Sequence, residues 1–193
     1  MGSISGRFAV VMMIEDLEDK LQRTHVTERE AVGVESLEAE SRALIDSIRA
    51  KLDRELRVIA LEGQMNADAF WERSREERDT GSEPCYIGTR VRVLRNTVTF
   101  EWFRNRTAPG AGEGKPRAVY STYLKKGKGE RYPSRYFDRE PGWAKQEIND
   151  TEDRYEQLRK RVAILASVRK NIRDYESLIN KQFNKLGKPE VKE

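Results

Sequence analysis

The sequence predicts an α+β protein in which a three-stranded antiparallel sheet is inserted between long helices that pack as an antiparallel, coiled-coil-like stalk. Three observations carry this expectation. Apolar residues step by threes and fours through two stretches, Val34 to Ile59 and Ile148 to Phe183. Between them, around Thr89 to Trp102, the period falls to two. The 193 residues are also 37% hydrophobic and 36% charged, against roughly 45–50% and about 25% in an ordinary globular chain, which suits a fold with much helix surface in water. The length fits one domain, or a small core carried on long helices.

Residues 1–35 form a segment without a firm assignment, and Met12 or Met13 is an alternative start to Met1. Its apolar run, Phe8 to Ile14, is far short of the roughly 20 residues a membrane span needs. No small-residue cleavage site follows, so a soluble, cytoplasmic protein with no membrane partner is expected. Residues 36–79 read as an acidic helical region with Val34, Leu37, Leu44, Ile48, Leu52, Leu56 and Ile59 on one stripe. Ser36 suits an N-cap and Gly63 a stop, predicting a helix over 36–62 and a shorter one over Ala67 to Arg78. The run Thr80-Gly81-Ser82-Glu83-Pro84 then ends helical structure.

Residues 86–139 read as a basic β region. Thr89, Val91 and Val93 alternate with Arg90 and Arg92, and the alternation resumes with Val98, Phe100 and Trp102 after Arg95-Asn96. A two-residue turn at Arg95-Asn96 sets Val93 opposite Val98, Val91 opposite Phe100 and Thr89 opposite Trp102. The other face then carries Arg90, Arg92, Thr97, Thr99 and Glu101, and a slip of one residue would mix arginines with aromatics. After a Gly-rich loop, Arg117 to Lys126 supplies a third strand, closed by Lys125-Lys126-Gly127-Lys128-Gly129. Residues 140–187 make one long helix whose stripe needs a partner, either the first helix or a second copy of the chain. Residues 188–193 form a tail.

Charge divides the chain sharply. Met1 to Cys85 holds 12 Lys/Arg against 19 Asp/Glu, Tyr86 to Arg139 holds 13 against 4, and the remainder 12 against 10. A basic middle block interleaved with aromatics suits a polyanion bound by Coulomb attraction and counterion release; the plain alternative is a solvated basic face. A sheet of this kind places Arg90, Arg92 and Arg95 for guanine contacts and Thr97 and Thr99 for bases or phosphates. Lys125, Lys126, Lys128 and Arg131 are then placed for the backbone, and Arg104, Arg106, Arg117 and Arg135 complete the candidate set. The competing expectation pairs the strand arginines with Glu101 and with acids of the first helix. Phe100 and Trp102 belong to the core rather than to base stacking.

Catalytic chemistry finds little material. One cysteine, Cys85, and one histidine, His25, exclude an internal disulfide and a Cys/His zinc site and leave no evident cysteine–base pair. A relaxase needs a histidine cluster beside its tyrosine. A metal nuclease needs carboxylates near the basic surface, where only Glu101, Glu113, Glu130 and Asp138 stand. Gly127-Lys128-Gly129 lacks the spacing of a phosphate loop. No enzyme activity, metal or cofactor is expected.

The run Thr99-Phe100-Glu101-Trp102-Phe103-Arg104, then Lys125-Lys126-Gly127-Lys128-Gly129, Arg131-Tyr132-Pro133 ahead of Phe137, Trp143, Glu147, Thr151-Glu152, Tyr155, Leu158-Arg159 and Ile172-Arg173-Asp174-Tyr175 resembles the MobI family. These are auxiliary mobilisation proteins of integrative conjugative elements and related plasmids. The resemblance covers about Arg90 to Leu178 and rests on the order of modest motifs. It implies non-enzymatic work at a transfer origin, binding double-stranded DNA there and assisting a separate relaxase. The alternative is a helical protein–protein adaptor without specific DNA binding, with a homo-oligomer open in either case.

Overall fold

A computed structural model describes residues 34–108 and 118–186. Element order is α1 (Val34–Asp79), β1 (Ile87–Leu94), β2 (Thr97–Ala108), β3 (Ala118–Tyr123), a 3-10 turn at Ser134–Tyr136, and α2 (Gly142–Leu186). The three strands form one antiparallel sheet in the order β1-β2-β3. The α+β expectation therefore holds. Residues 1–33, 109–117 and 187–193, with the predicted N-terminal segment, Gly-rich loop, Arg117 and tail, lie outside the described residues apart from the first residues of α1.

The first helical region is one helix, not two. Neither Ser36 nor Gly63 bounds it: the helix begins at Val34 and runs through Gly63 without a break. Gly63 is there for close approach, since a methyl group at that position would fall 2.1 Å from Phe100 Cε1. The true stop is at Gly81. Its φ of +79° suits a residue without Cβ, and Ser82 N–H to Glu77 C=O at 2.9 Å with Gly81 N–H to Arg78 C=O at 3.1 Å satisfies the last carbonyls.

The hairpin register is the one the alternation predicts, with Val93 opposite Val98, Val91 opposite Phe100 and Thr89 opposite Trp102. β3 is shorter than its predicted 117–126, because pairing with β2 ends at Phe103 opposite Tyr123.

α1 and α2 run antiparallel, shown by ties whose numbers rise on one helix and fall on the other. Arg42 donates to Asn180, Arg49 to Glu176, Arg169 to Asp53, Arg161 to Glu55 and Glu62, and Arg154 to Asn66. Asn66, itself buried, donates to the Thr151 carbonyl at 2.9 Å. The core lies where the sheet meets this pair. Trp102 packs edge-on against Phe70, Phe137 and Tyr155, and Phe100 stacks on Tyr155 at 5.0 Å. Ile59, Ile87, Ala144, Ile148 and Leu158 close around them. Each large side chain buried here contributes about 1.5–3 kcal/mol. No helix among the described residues is long and apolar enough to cross a membrane.

Gly63→Ala should destabilise the fold by about 1–3 kcal/mol in urea unfolding, because displacement of the Phe100 ring outweighs the gain in helix propensity.

Candidate nucleic-acid interface

The antiparallel register sets Arg90 opposite Glu101 and Arg92 opposite Thr99 on the face of the sheet away from the core. Glu101 collects both arginines. Arg90 Nε donates to Glu101 Oε2 at 3.0 Å, and Arg92 Nη1 lies 3.7 Å from Oε1. Thr99 Oγ1 lies 3.3 Å from the same Oε1. The Arg90 guanidinium also sits 4.2 Å from the centre of the Tyr123 ring, a stacking contact that fixes its plane. The expectation of Glu101 as counter-ion holds; acids of α1 take no part.

Two arginines on one carboxylate leave this cluster with a net charge of +1, and its ion pairs are half exposed. Such pairs contribute at most about 1 kcal/mol, so a phosphate oxygen can replace Glu101 at small cost. At the hairpin tip Arg95 is exposed, and Thr97 and Thr99 are half-buried beside it. Arg169 on α2 pins this tip by donating to the Asn96 carbonyl at 2.6 Å. That anchor gave no signal in the sequence beyond one more arginine in a charged helix.

The remaining candidates separate into three settings. Arg95, Arg106, Lys125 and Lys128 are exposed and make no ion pair among the described residues. Arg135 is exposed over the Tyr136 ring, and Lys126 bonds the Gly129 carbonyl with Glu130 at 3.7 Å. Arg131 pairs with Asp153 and Glu156 of α2; the Asp153 hydrogen bond raises its pKa above the ordinary arginine value. Arg104 turns inward, with Nη1 at 2.7 Å from buried Glu140 and Nη2 at 2.7 Å from the Tyr136 carbonyl. Glu140 also accepts from the Tyr86 N–H at 3.0 Å, so this arginine ties β2 to the entry of α2.

Cys85 and two of the tyrosines are shielded by burial. Burial pushes the Cys85 thiol up to about 12, with its Sγ 3.7 Å from the Ile87 carbonyl. Burial likewise raises Tyr155, whose hydroxyl is 3.0 Å from Thr89 Oγ1, and Tyr132. Among the described residues no three His, Cys, Asp or Glu side chains are grouped to hold a metal.

Family comparison joins these elements to a known group, because the family described as MobI protein matches residues 59–173, more than half of the chain. The chain belongs to the MobI family. Neither the curated proteins nor the solved structures give a match. The matched span begins upstream of Arg90 and takes in α1 from Ile59, the sheet, and α2 to Arg173. Gly63 under Phe100, the Glu101 cluster and the Arg104–Glu140 tie all fall inside it. As a MobI protein the chain has a mobilisation-related role, in an accessory family rather than a known enzyme class.

At pH 8 Cys85 should react with iodoacetamide about a thousandfold more slowly in the folded protein than after unfolding. Its pKa rises from 9.0 to about 12 on folding, so the unfolded thiol loses its proton first. Unfolding free energy should therefore fall as pH rises through that window, measured by urea titration.

Proposed function

We propose that this MobI protein binds double-stranded DNA at a conjugative transfer origin and assists a separate relaxase without doing covalent chemistry itself. The observation that carries the reading is the outer sheet face, where Arg90 and Arg92 share the single carboxylate of Glu101, with Arg95, Lys125 and Lys128 of the same basic block exposed. Phosphates displace Glu101 and recruit the loop lysines, which supplies most of the affinity. The hairpin arginines then reach base edges and supply sequence preference. Family membership supports the setting, and the half-buried Cys85 thiol, its pKa pushed up to about 12, supports a binding role over a nucleophilic one.

A second reading rests on apolar side chains exposed on the helices. Leu61, Met65 and Ile164 are 65%, 72% and 63% exposed, which suits an adaptor docking on a protein or on a second copy. Salt separates the two, since phosphate contacts weaken steeply with salt and an apolar seam does not.

Fluorescence anisotropy with the native origin duplex and a scrambled duplex, each at two salt concentrations, tests the first reading. It predicts tighter, salt-sensitive binding to the native duplex. Equal weak binding to both, or none, would remove it. In the same assay the folded variant Arg90→Ala/Arg92→Ala should lower affinity and reduce the salt slope by about 1–2. Glu101→Gln should raise affinity by about twofold to tenfold, because the competing carboxylate charge is gone.

A further inference from the structure

β2 has strand partners on both edges only at Phe103 and Arg104. β1 covers Thr97 to Arg104, whereas β3 covers only Phe103 to Ala108. One last bond, Leu124 N–H to the Trp102 carbonyl at 2.9 Å, precedes the departure of the chain into the Lys126 turn. On the other edge Asn105 N–H reaches the Tyr86 carbonyl at 2.8 Å. By the alternation of an antiparallel ladder, the N–H and C=O groups of Val98 and Phe100 therefore point away from β1. Arg159 Nη2 takes the Phe100 carbonyl at 3.1 Å. Among the described residues the N–H groups of Val98 and Phe100 and the Val98 carbonyl have no partner.

This unpaired edge, with Val98 and Phe100 themselves only 4% and 2% exposed, lines a groove of about 420 Å³ together with Val162, Ala163 and Ala166 of α2 and with Lys126 and Glu130. The charged side chains that line it balance, Glu101 and Glu130 against Lys126 and Arg159. A slot whose charges cancel gives a polyanion no attraction, while backbone donors and an acceptor at strand spacing beside small residues match another main chain.

We propose that the groove binds an extended, uncharged segment of a protein partner, with apolar side chains at alternate positions, which adds to β2 where β3 leaves off. Its main chain bonds Val98 and Phe100, and every second side chain rests on Val162, Ala163 and Ala166. The groove shares Thr97, Thr99 and Glu101 with the outer sheet face, but the bonds proposed are to main chain and do not depend on DNA binding.

The test uses the full chain labelled with 15N and a capped Thr-Val-Thr-Val-Thr-Val-Thr peptide at up to about 1 mM, the range of a weak main-chain contact. The Val98 and Phe100 amide signals should shift and exchange about tenfold more slowly with solvent. A peptide N-methylated at its central residues should do neither. Ala166→Trp fills the groove from an exposed helix position and should weaken peptide binding at least about tenfold while the spectrum elsewhere keeps its native dispersion. Unmoved Val98 and Phe100 amides, or equal binding to Ala166→Trp, would overturn the proposal. Protection of the same amides by duplex DNA instead of peptide would overturn it in favour of a nucleic-acid groove.

Discussion

The fold turns on one buried ion pair, Glu152 with Arg159, both on α2 and 1% and 7% exposed. Desolvating two charges costs several kcal/mol each, so such a pair persists only where every hydrogen-bonding position is used. Here nearly all are. Glu152 Oε1 accepts from Arg159 at 2.8 Å and from the Tyr132 N–H at 2.7 Å, and Oε2 accepts from Arg159 at 3.2 Å and from Trp102 Nε1 at 2.7 Å. Arg159 donates onward to the Glu130 and Phe100 carbonyls and lies against the Tyr132 and Tyr155 rings. Its partners come from β2, from the segment after β3, and from α2. An apolar contact tolerates sliding, whereas these bonds hold in a single placement of the sheet on the helix.

Two further polar ties hold the ends of the sheet. Arg169 fixes the hairpin tip at Asn96, and the Arg104–Glu140 pair fixes the opposite end of β2 to the entry of α2. With the inner face anchored at tip, middle and end, the outer face is presented as a rigid surface. Arg90 and Arg92 point outward because Thr89, Val91, Phe100 and Trp102 point inward. The same anchoring leaves the first half of β2 with one open edge, since Arg159 occupies the Phe100 carbonyl and the chain after Leu124 turns away.

Much of this was legible in the sequence. Period-two alternation on both sides of Arg95-Asn96 specified the register, because only one parity keeps arginines apart from Phe100 and Trp102. The apolar seam of α2 specified a long helix. The boundary at Gly63 was misread for a physical reason: glycine signals a helix stop locally, but here its missing side chain admits the Phe100 ring from a strand distant in sequence. Arg104 looked like its exposed neighbours, and only the tertiary position of Glu140 shows its inward use. Glu152 and Arg159 entered only among the residues of the family resemblance, and nothing local revealed that they would pair or that Trp102 and Tyr132 would meet them.

A double-mutant cycle on that pair tests the account most directly. Urea unfolding of Glu152→Gln, Arg159→Met and the combined variant should show each single change costing about 3–5 kcal/mol, by stranding a buried charge. The double variant should cost less than the sum by more than about 1 kcal/mol, with faster amide exchange at Trp102 and Tyr132 in each single variant. Single losses within about 1 kcal/mol that simply add would contradict the claim that this pair sets the sheet on the helix.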